Sequence, residues 1–284
     1  MPYTTLISAA ELKQHLDNPA FVILDCRAEL TDTRAGAAAF AAGHIPGAQH
    51  ADADTALSDK SPGPKGEFRG RHPLPTREAF IDTLRGWGVY PNSQVIAYDA
   101  HGGMFASRLW WMLRWVGHAN VAVLDGGLAA WQAAGGAMTT ELPPRPRGSI
   151  TLQPSLAPVV SADDVLANLS AKKKTVLDAR AADRFRGENE TIDPVAGHIP
   201  GAKNRCFKDN LQEDGKFKPD DALRKDFRAL IDSPESTILQ CGSGISACHN
   251  ALAMEIAGLG GAALYPGSWS EWSADPSRPV ATGA

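Results

Sequence analysis

Ala42-Gly43-His44-Ile45-Pro46-Gly47-Ala48 recurs, residue for residue, as Ala196-Gly197-His198-Ile199-Pro200-Gly201-Ala202. An identical heptapeptide found twice marks an internal repeat, and the sequence on either side repeats with it. Upstream, Val22-Ile23-Leu24-Asp25-Cys26-Arg27 is matched by Val176-Leu177-Asp178-Ala179-Arg180. Downstream, Val95-Ile96-Ala97-Tyr98-Asp99 corresponds to Thr237-Ile238-Leu239-Gln240-Cys241, and Gly126-Gly127 with Trp131 to Gly267-Ser268 with Trp272. The first copy is the longer between these landmarks. Its surplus falls in the Pro/Gly-rich stretch Ser61 to Pro75, which reads as a surface excursion. Between the copies, prolines crowd the run from Glu141 to Gly148 and the polar segment to Pro158, as in a stiff, extended connector. The expected organisation is an N-terminal domain over 1–140, a linker over 141–158 and a C-terminal domain over 159–284. Each copy, at roughly 130 residues, is of ordinary domain size.

Within a copy, short β-branched runs alternate with helical patterns. Strands are predicted at 21–25, 94–98 and 121–124, and helices at 8–17, 77–87, 104–116 and 127–134. From Phe105 to Val116, Leu109, Met112, Leu113 and Val116 recur at the i, i+3, i+4, i+7 spacing of one helix face. In the second copy a helix is predicted from Ala247 to Leu259. Alternation of this kind predicts an α/β fold in which each copy is a mostly parallel sheet flanked by helices.

The chemistry concentrates in Thr237 to Asn250, where an apolar β-type run delivers Cys241 to the short loop Gly242-Ser243-Gly244-Ile245-Ser246, followed at once by a helix. Functional loops of open α/β sheets sit at the carboxyl ends of strands. Loop N–H groups and a helix N-terminus favour negative charge there, so this thiol is expected to ionise more readily than a free one and to act as a nucleophile. Asp99 holds the same place in the first copy, where no thiol stands. Cys248, Cys26 and Cys206 read as packing or structural residues.

Composition narrows the partners. With 43% apolar and 21% charged residues the chain has the balance of a soluble globular protein. A net charge of −4 without a basic stripe argues against nucleic acid. No apolar run approaches the roughly 18 residues of a membrane span. No secretory signal is evident at the N-terminus, and four scattered cysteines show neither zinc spacing nor a disulfide framework. A cytoplasmic setting without metal is expected.

The repeat, the two Gly-His-Ile-Pro-Gly motifs and the Cys241–Ala247 loop resemble the tandem-domain rhodanese-like sulfurtransferases over nearly the whole chain. The loop is most similar to that of the 3-mercaptopyruvate branch, typically Cys-Gly-Ser-Gly-Val-Thr-Ala, with Ile245 and Ser246 as mild changes. Thiosulfate-preferring rhodaneses typically carry Arg and Lys after the cysteine, where this chain has Gly242 and Ser243. The resemblance implies two rhodanese-like domains, the first catalytically silent. It implies that Cys241 takes sulfane sulfur from 3-mercaptopyruvate as a persulfide, releases pyruvate and passes the sulfur to cyanide, a thiol or thioredoxin, without a cofactor and as a monomer. Backbone N–H groups from Gly242 to Ala247 would hold the persulfide, with Gly242 and Gly244 letting the loop curl.

The same resemblance implies a donor-binding role for Ser243 and a carboxylate-binding role for Arg184, with Arg186 as a weaker candidate. Arginine suits that task because its planar fork meets a carboxylate with two hydrogen bonds. An Asp–His pair from the first domain is proposed in this branch to act with the loop serine, and Asp32 and His44 are the nearest matches. His44 and His198, present in both copies, also read as structural. The chain departs from the pattern between Glu188 and Ala196, where no arginine precedes the second Gly-His-Ile.

Thiosulfate:cyanide sulfur transfer is the alternative, and a non-catalytic binding module a further one. The same fold also hosts phosphatases with a Cys-x5-Arg loop. Ala247 stands where that arginine would be, so phosphate would lack its charge partner.

Overall fold

The computed structural model describes residues 1–142 and 144–284; Pro143, in the expected linker, lies outside the described residues. The chain forms two compact units. The first comprises Met1–Asp59, Pro75–Leu156 and Gln212–Phe217, and the second Lys60–Leu74, Ala157–Leu211 and Lys218–Ala284.

The first unit contains β1 (Leu6–Ile7), α1 (Ala9–Lys13), β2 (Phe21–Asp25), α2 (Ala35–Ala42), β3 (Gln49–His50), α3 (Arg77–Gly86), β4 (Gln94–Tyr98), α4 (Ala106–Trp115), β5 (Val121–Leu124) and α5 (Gly127–Ala133). Its five strands run in the order β1-β5-β4-β2-β3, all pairings parallel. β2 and β4 are buried along their whole length, as strands covered on both faces must be, and they read as continuous apolar runs for that reason. Ser8 caps α1 through a reciprocal box with Glu11, and Thr76 caps α3 through Ala79 N–H.

The second unit contains α6 (Ala162–Ala171), β6 (Thr175–Asp178), α7 (Ala182–Arg186), β7 (Lys203–Asn204), a 3-10 turn (Phe207–Asn210), α8 (Asp220–Arg228), β8 (Thr237–Gln240), α9 (Ser246–Ile256), β9 (Ala263–Leu264) and α10 (Ser268–Trp272). Its sheet, β7-β6-β8-β9, is again parallel. Both units are thus the α/β architecture the alternation predicts. In each, the strand order reverses between two neighbours, β2 and β4 in the first unit and β6 and β8 in the second. That reversal opens a crevice at the strands' carboxyl ends. Asp99 follows β4 there, and Cys241 follows β8.

Several elements differ from expectation. α1 ends at Lys13 rather than residue 17, and α9 runs from Ser246 to Ile256 rather than Ala247 to Leu259. α4 is buried from Ala106 to Leu113 on every side, not on one face. The stretch predicted as a surface excursion is also more than that: Lys60–Leu74 belongs to the second unit and buries Gly70, His72 and Pro73. Among the described residues no helix is long and apolar enough to cross a membrane.

Candidate active site

Cys241 is held where β8 ends. Its backbone N–H donates to Ser268 Oγ at 3.1 Å, and the Ser268 hydroxyl donates to the Tyr265 carbonyl at 2.9 Å. Trp269 and Ser270 N–H groups donate to the Cys241 and Gly242 carbonyls at 3.0 and 2.9 Å. The turn after β9 therefore clamps the loop, and Ser268 takes a left-handed backbone (φ 54°) to do so.

Gly244 needs its lack of a side chain. Its φ is +77°, and a Cβ there would lie 2.4 Å from the Pro266 carbonyl oxygen. This bend brings Gly244 N–H to within 3.1 Å of Cys241 Sγ, where it donates to the sulfur. Immediately beyond, Ile245 precedes α9 as its N-cap and supplies no side-chain hydrogen bond, so the first-turn N–H groups present their partial positive charge at the loop. Cys248, in that first turn, donates its S–H to the Gly244 carbonyl at 3.3 Å. It is fully buried and packs beneath the loop.

The neighbouring side chains come from two places. From α7, Arg184 reaches the loop. A Cβ built on Gly242 would lie 3.7 and 3.8 Å from its Nη2 and Nη1. From the Lys60–Leu74 segment come Arg71, whose Nη2 would lie 2.9 Å from that same Cβ, and His72, whose Nδ1 is 2.8 Å from Ser243 Oγ. The proton between Nδ1 and Oγ is donated by one or the other according to the imidazole tautomer. Gly70 (φ +94°) makes this approach possible, because a Cβ there would meet the Gly267 carbonyl oxygen at 2.7 Å. Arg71 N–H then donates to Ser270 Oγ at 3.1 Å.

The segment 188–196, which lacks an arginine, supplies two buried acids instead. Glu190 accepts Arg184 Nε and Nη2 and, at 3.4 Å, Arg180 Nη1; it is anchored by the Ile192 and Asp193 N–H groups. Asp193 binds Arg184 Nη2 at 3.3 Å with Oδ2 and Arg71 Nη1 with Oδ1. Burial pushes the Arg71 guanidinium below its ordinary value; Cys241 and Glu190 oppose that shift, and Arg184 adds to it.

Cys241, Gly242, Ser243, Gly244, Ile245, Ser246 and Arg184 therefore come together. Arg186 does not: it pairs with Glu188 at 2.7 Å, both groups partly exposed. Nor do Asp32 and His44. Ser243 takes its histidine from position 72, whereas His44 has both ring nitrogens on the Phe40 and Glu141 carbonyls and stacks on Phe40. Asp32 is exposed and accepts Arg34 N–H. His198 repeats the structural role of His44, bonding the Phe185 carbonyl and stacking on that ring. Arg108 is buried with Nη2 on the Leu57 carbonyl. Trp269 is a core residue beneath Arg180. Sequence reasoning missed Arg71 and His72. The available signal was the insert itself, present in one copy and carrying two chemically capable side chains.

Fold and site together define a tandem parallel-sheet protein with a thiol at the switch point of one sheet and a carboxylate at that of the other. The rhodanese-like domain model matches residues 8–134 and again 161–275, and the chain belongs to that family. A probable 3-mercaptopyruvate sulfurtransferase of Pseudomonas aeruginosa is 46% identical over the full length of both chains. A putative thiosulfate sulfurtransferase of Mycobacterium tuberculosis is 40% identical, covering 98% of this chain and 97% of that one. The solved 3-mercaptopyruvate sulfurtransferase from Leishmania major matches with a TM-score of 0.83 at 32% identity, over 95% of this chain and 74% of its own.

Proposed function

We propose that the chain is a sulfurtransferase that takes sulfur from 3-mercaptopyruvate onto Cys241 and passes it to a thiophilic acceptor. The Cys241 thiolate attacks the donor's sulfur. An S–S bond forms, the donor's C–S bond breaks, and the electron pair of that bond leaves as the pyruvate enolate. The enolate carbon must then gain a proton, and the donor's thiol supplies the equivalent one. The product is a persulfide anion on Cys241, which Gly244 N–H and the start of α9 are placed to hold. Attack by cyanide, a small thiol or thioredoxin on the outer sulfur regenerates the thiolate, in a ping-pong cycle.

The observation that carries this donor is the Ser243–His72 pair, 2.8 Å apart beside the thiol. Departure of pyruvate needs a proton delivered to carbon; departure of sulfite from thiosulfate does not. A hydroxyl bonded to an imidazole is a proton carrier that only the first reaction requires. A specific observation also favours thiosulfate as the second reading. Arg71 and Arg184 supply beside Gly242 the positive charge that the loop itself lacks. In both readings Cys241, within residues 159–284, carries the sulfur and residues 1–140 carry none, because Asp99 cannot take it. The contribution of 1–140 is the Lys60–Leu74 segment with His72, which belongs to the second unit. A monomer in the cytoplasm fits this function.

The test has two parts. Donor treatment should add one sulfur to Cys241 by mass spectrometry, with Cys241→Ser inactive; no added sulfur sinks the enzyme reading. The ratio of kcat/KM should favour 3-mercaptopyruvate, and a clear thiosulfate preference overturns the donor.

A further inference from the structure

The acids beside the Cys241 loop balance its cations. Arg180 holds Asp178 at 2.7 Å and Glu190 at 3.4 Å. Arg184 holds Glu190 at 2.9 Å and Asp193 at 3.3 Å. Arg71 takes the other oxygen of Asp193. In this cluster three carboxylates therefore face three guanidiniums, and its formal charges sum to zero. Glu190 and Asp193 both come from the segment 188–196, and each side chain is only 2% exposed. Water and salt screen charges at that depth weakly, so their potential reaches the neighbouring loop. Glu190 is fixed in place by the Ile192 and Asp193 N–H groups.

Charge is also where the two candidate donors part. 3-Mercaptopyruvate with its thiol protonated is a monoanion; thiosulfate is a dianion. A neutral cluster next to a thiolate leaves the second negative charge uncompensated, and like charges placed together in a poorly screened site repel strongly. We infer that Glu190 and Asp193 determine donor specificity: by cancelling the guanidinium charge beside Cys241 they set the site against dianions. The assignment rests on the sulfurtransferase reading and deepens it. It places the discrimination in repulsion of the wrong donor rather than in extra contacts to the right one. Neither acid has to touch the donor, because both act through charge.

The experiment compares wild type with Asp193→Asn, Glu190→Gln, Asp193→Glu and Glu188→Gln. Each is assayed with both donors, and with sulfate and pyruvate as dead-end inhibitors. Asparagine and glutamine keep an oxygen for the arginines and remove the charge. In both amide variants kcat/KM for thiosulfate, relative to 3-mercaptopyruvate, should rise about tenfold or more over wild type. The sulfate inhibition constant should fall by a similar factor, while that of pyruvate moves less. Asp193→Glu keeps the charge and should keep the wild-type ratio. Glu188, 57% exposed and paired with Arg186, is the control: Glu188→Gln should leave the ratio within about twofold. Thermal melting checks each fold, and Asp193→Asn and Glu190→Gln decide independently should one of them not fold. A donor ratio within about twofold of wild type in the folded amide variants overturns the inference. So does an equal loss with both donors, which would mark the acids as braces for the arginines. Failure of the donor reading looks different: it shows in wild type alone, as a thiosulfate preference, whereas the acids are decided by the variant-to-wild-type ratio.

Discussion

At the scale of single residues, the proton is the discriminating particle. His72 and Ser243 are buried and bonded to one another beside a thiol, and a proton relay of this kind contributes typically 10²–10⁴-fold. His72→Gln keeps a hydrogen-bonding group of similar reach but cannot exchange a proton near neutral pH. With 3-mercaptopyruvate its kcat should fall by about 10²-fold or more. With thiosulfate, whose leaving group needs no proton, kcat should stay within a few-fold. Ser243→Ala should follow the same split, and the double variant should lose little more than either single one, since both act in one relay. Steady-state kinetics with the two donors reads all of this. Equal losses with both donors would make the pair a structural brace rather than a relay.

At the scale of elements, the two strand–loop–helix units turn loop N–H groups toward different side chains, a carboxylate in one and a thiol in the other. After β4, the Asp99 carboxylate accepts four backbone N–H groups: His101 and Gly103 on Oδ1 at 2.8 and 2.9 Å, Phe105 and Ala106 on Oδ2 at 2.8 and 2.9 Å. The Asp99 carboxylate fills the crown of N–H groups at the place where Cys241 stands in the second unit. Asp99→Ala leaves those buried donors without their acceptor, and each bond to a charged group contributes about 1.5–3 kcal/mol. A loss of roughly 3 kcal/mol or more in urea unfolding is expected once water and relaxation recover part of it. A change of under about 1 kcal/mol would show that the loop closes without the anion. These units were also the legible part of the chain. β2, β4 and β5 fall at the predicted residues, and the Cys241 loop with Arg184 is local enough to be recognised by motif. Two-residue strands such as β3 carry no period to read. Arg71 and His72 were illegible for another reason. Nothing local says that a Pro/Gly-rich insert folds onto a loop, and His72 meets Ser243 across 171 residues of sequence. The left-handed Gly70 against the Gly267 carbonyl and Arg71 N–H on Ser270 Oγ, all tertiary facts, fix that approach.

At the scale of the whole molecule, neither unit is a continuous stretch of chain. Lys60–Leu74 is built into the second unit and Gln212–Phe217 into the first, where Phe217 N–H donates to Asp125 Oδ1 at 3.0 Å. Each unit therefore depends on sequence from both halves, and unfolding of either disturbs segments of both. The acid limb of stability follows from groups buried in these units. Burial pushes the carboxyls of Asp125 and Glu271 up and the imidazole of His118 down. Their effects have opposite signs. A raised carboxyl binds its proton more tightly when folded, so those two acids add stability as pH falls through their folded values. A depressed imidazole does the reverse. The unfolded chain protonates His118 near its ordinary value of about 6.5 while the folded one resists, so its contribution is full above that value and is lost as pH falls below it. His118 Nε2 donates to the Ser93 carbonyl at 2.9 Å in the folded state, and a glutamine amide can make the same bond without titrating. Urea unfolding at pH 7.5 and 5.5 should therefore show a smaller drop in stability for His118→Gln than for wild type. The carboxylates, common to both proteins, cancel in that comparison. An equal drop in the two would remove His118 from the acid response.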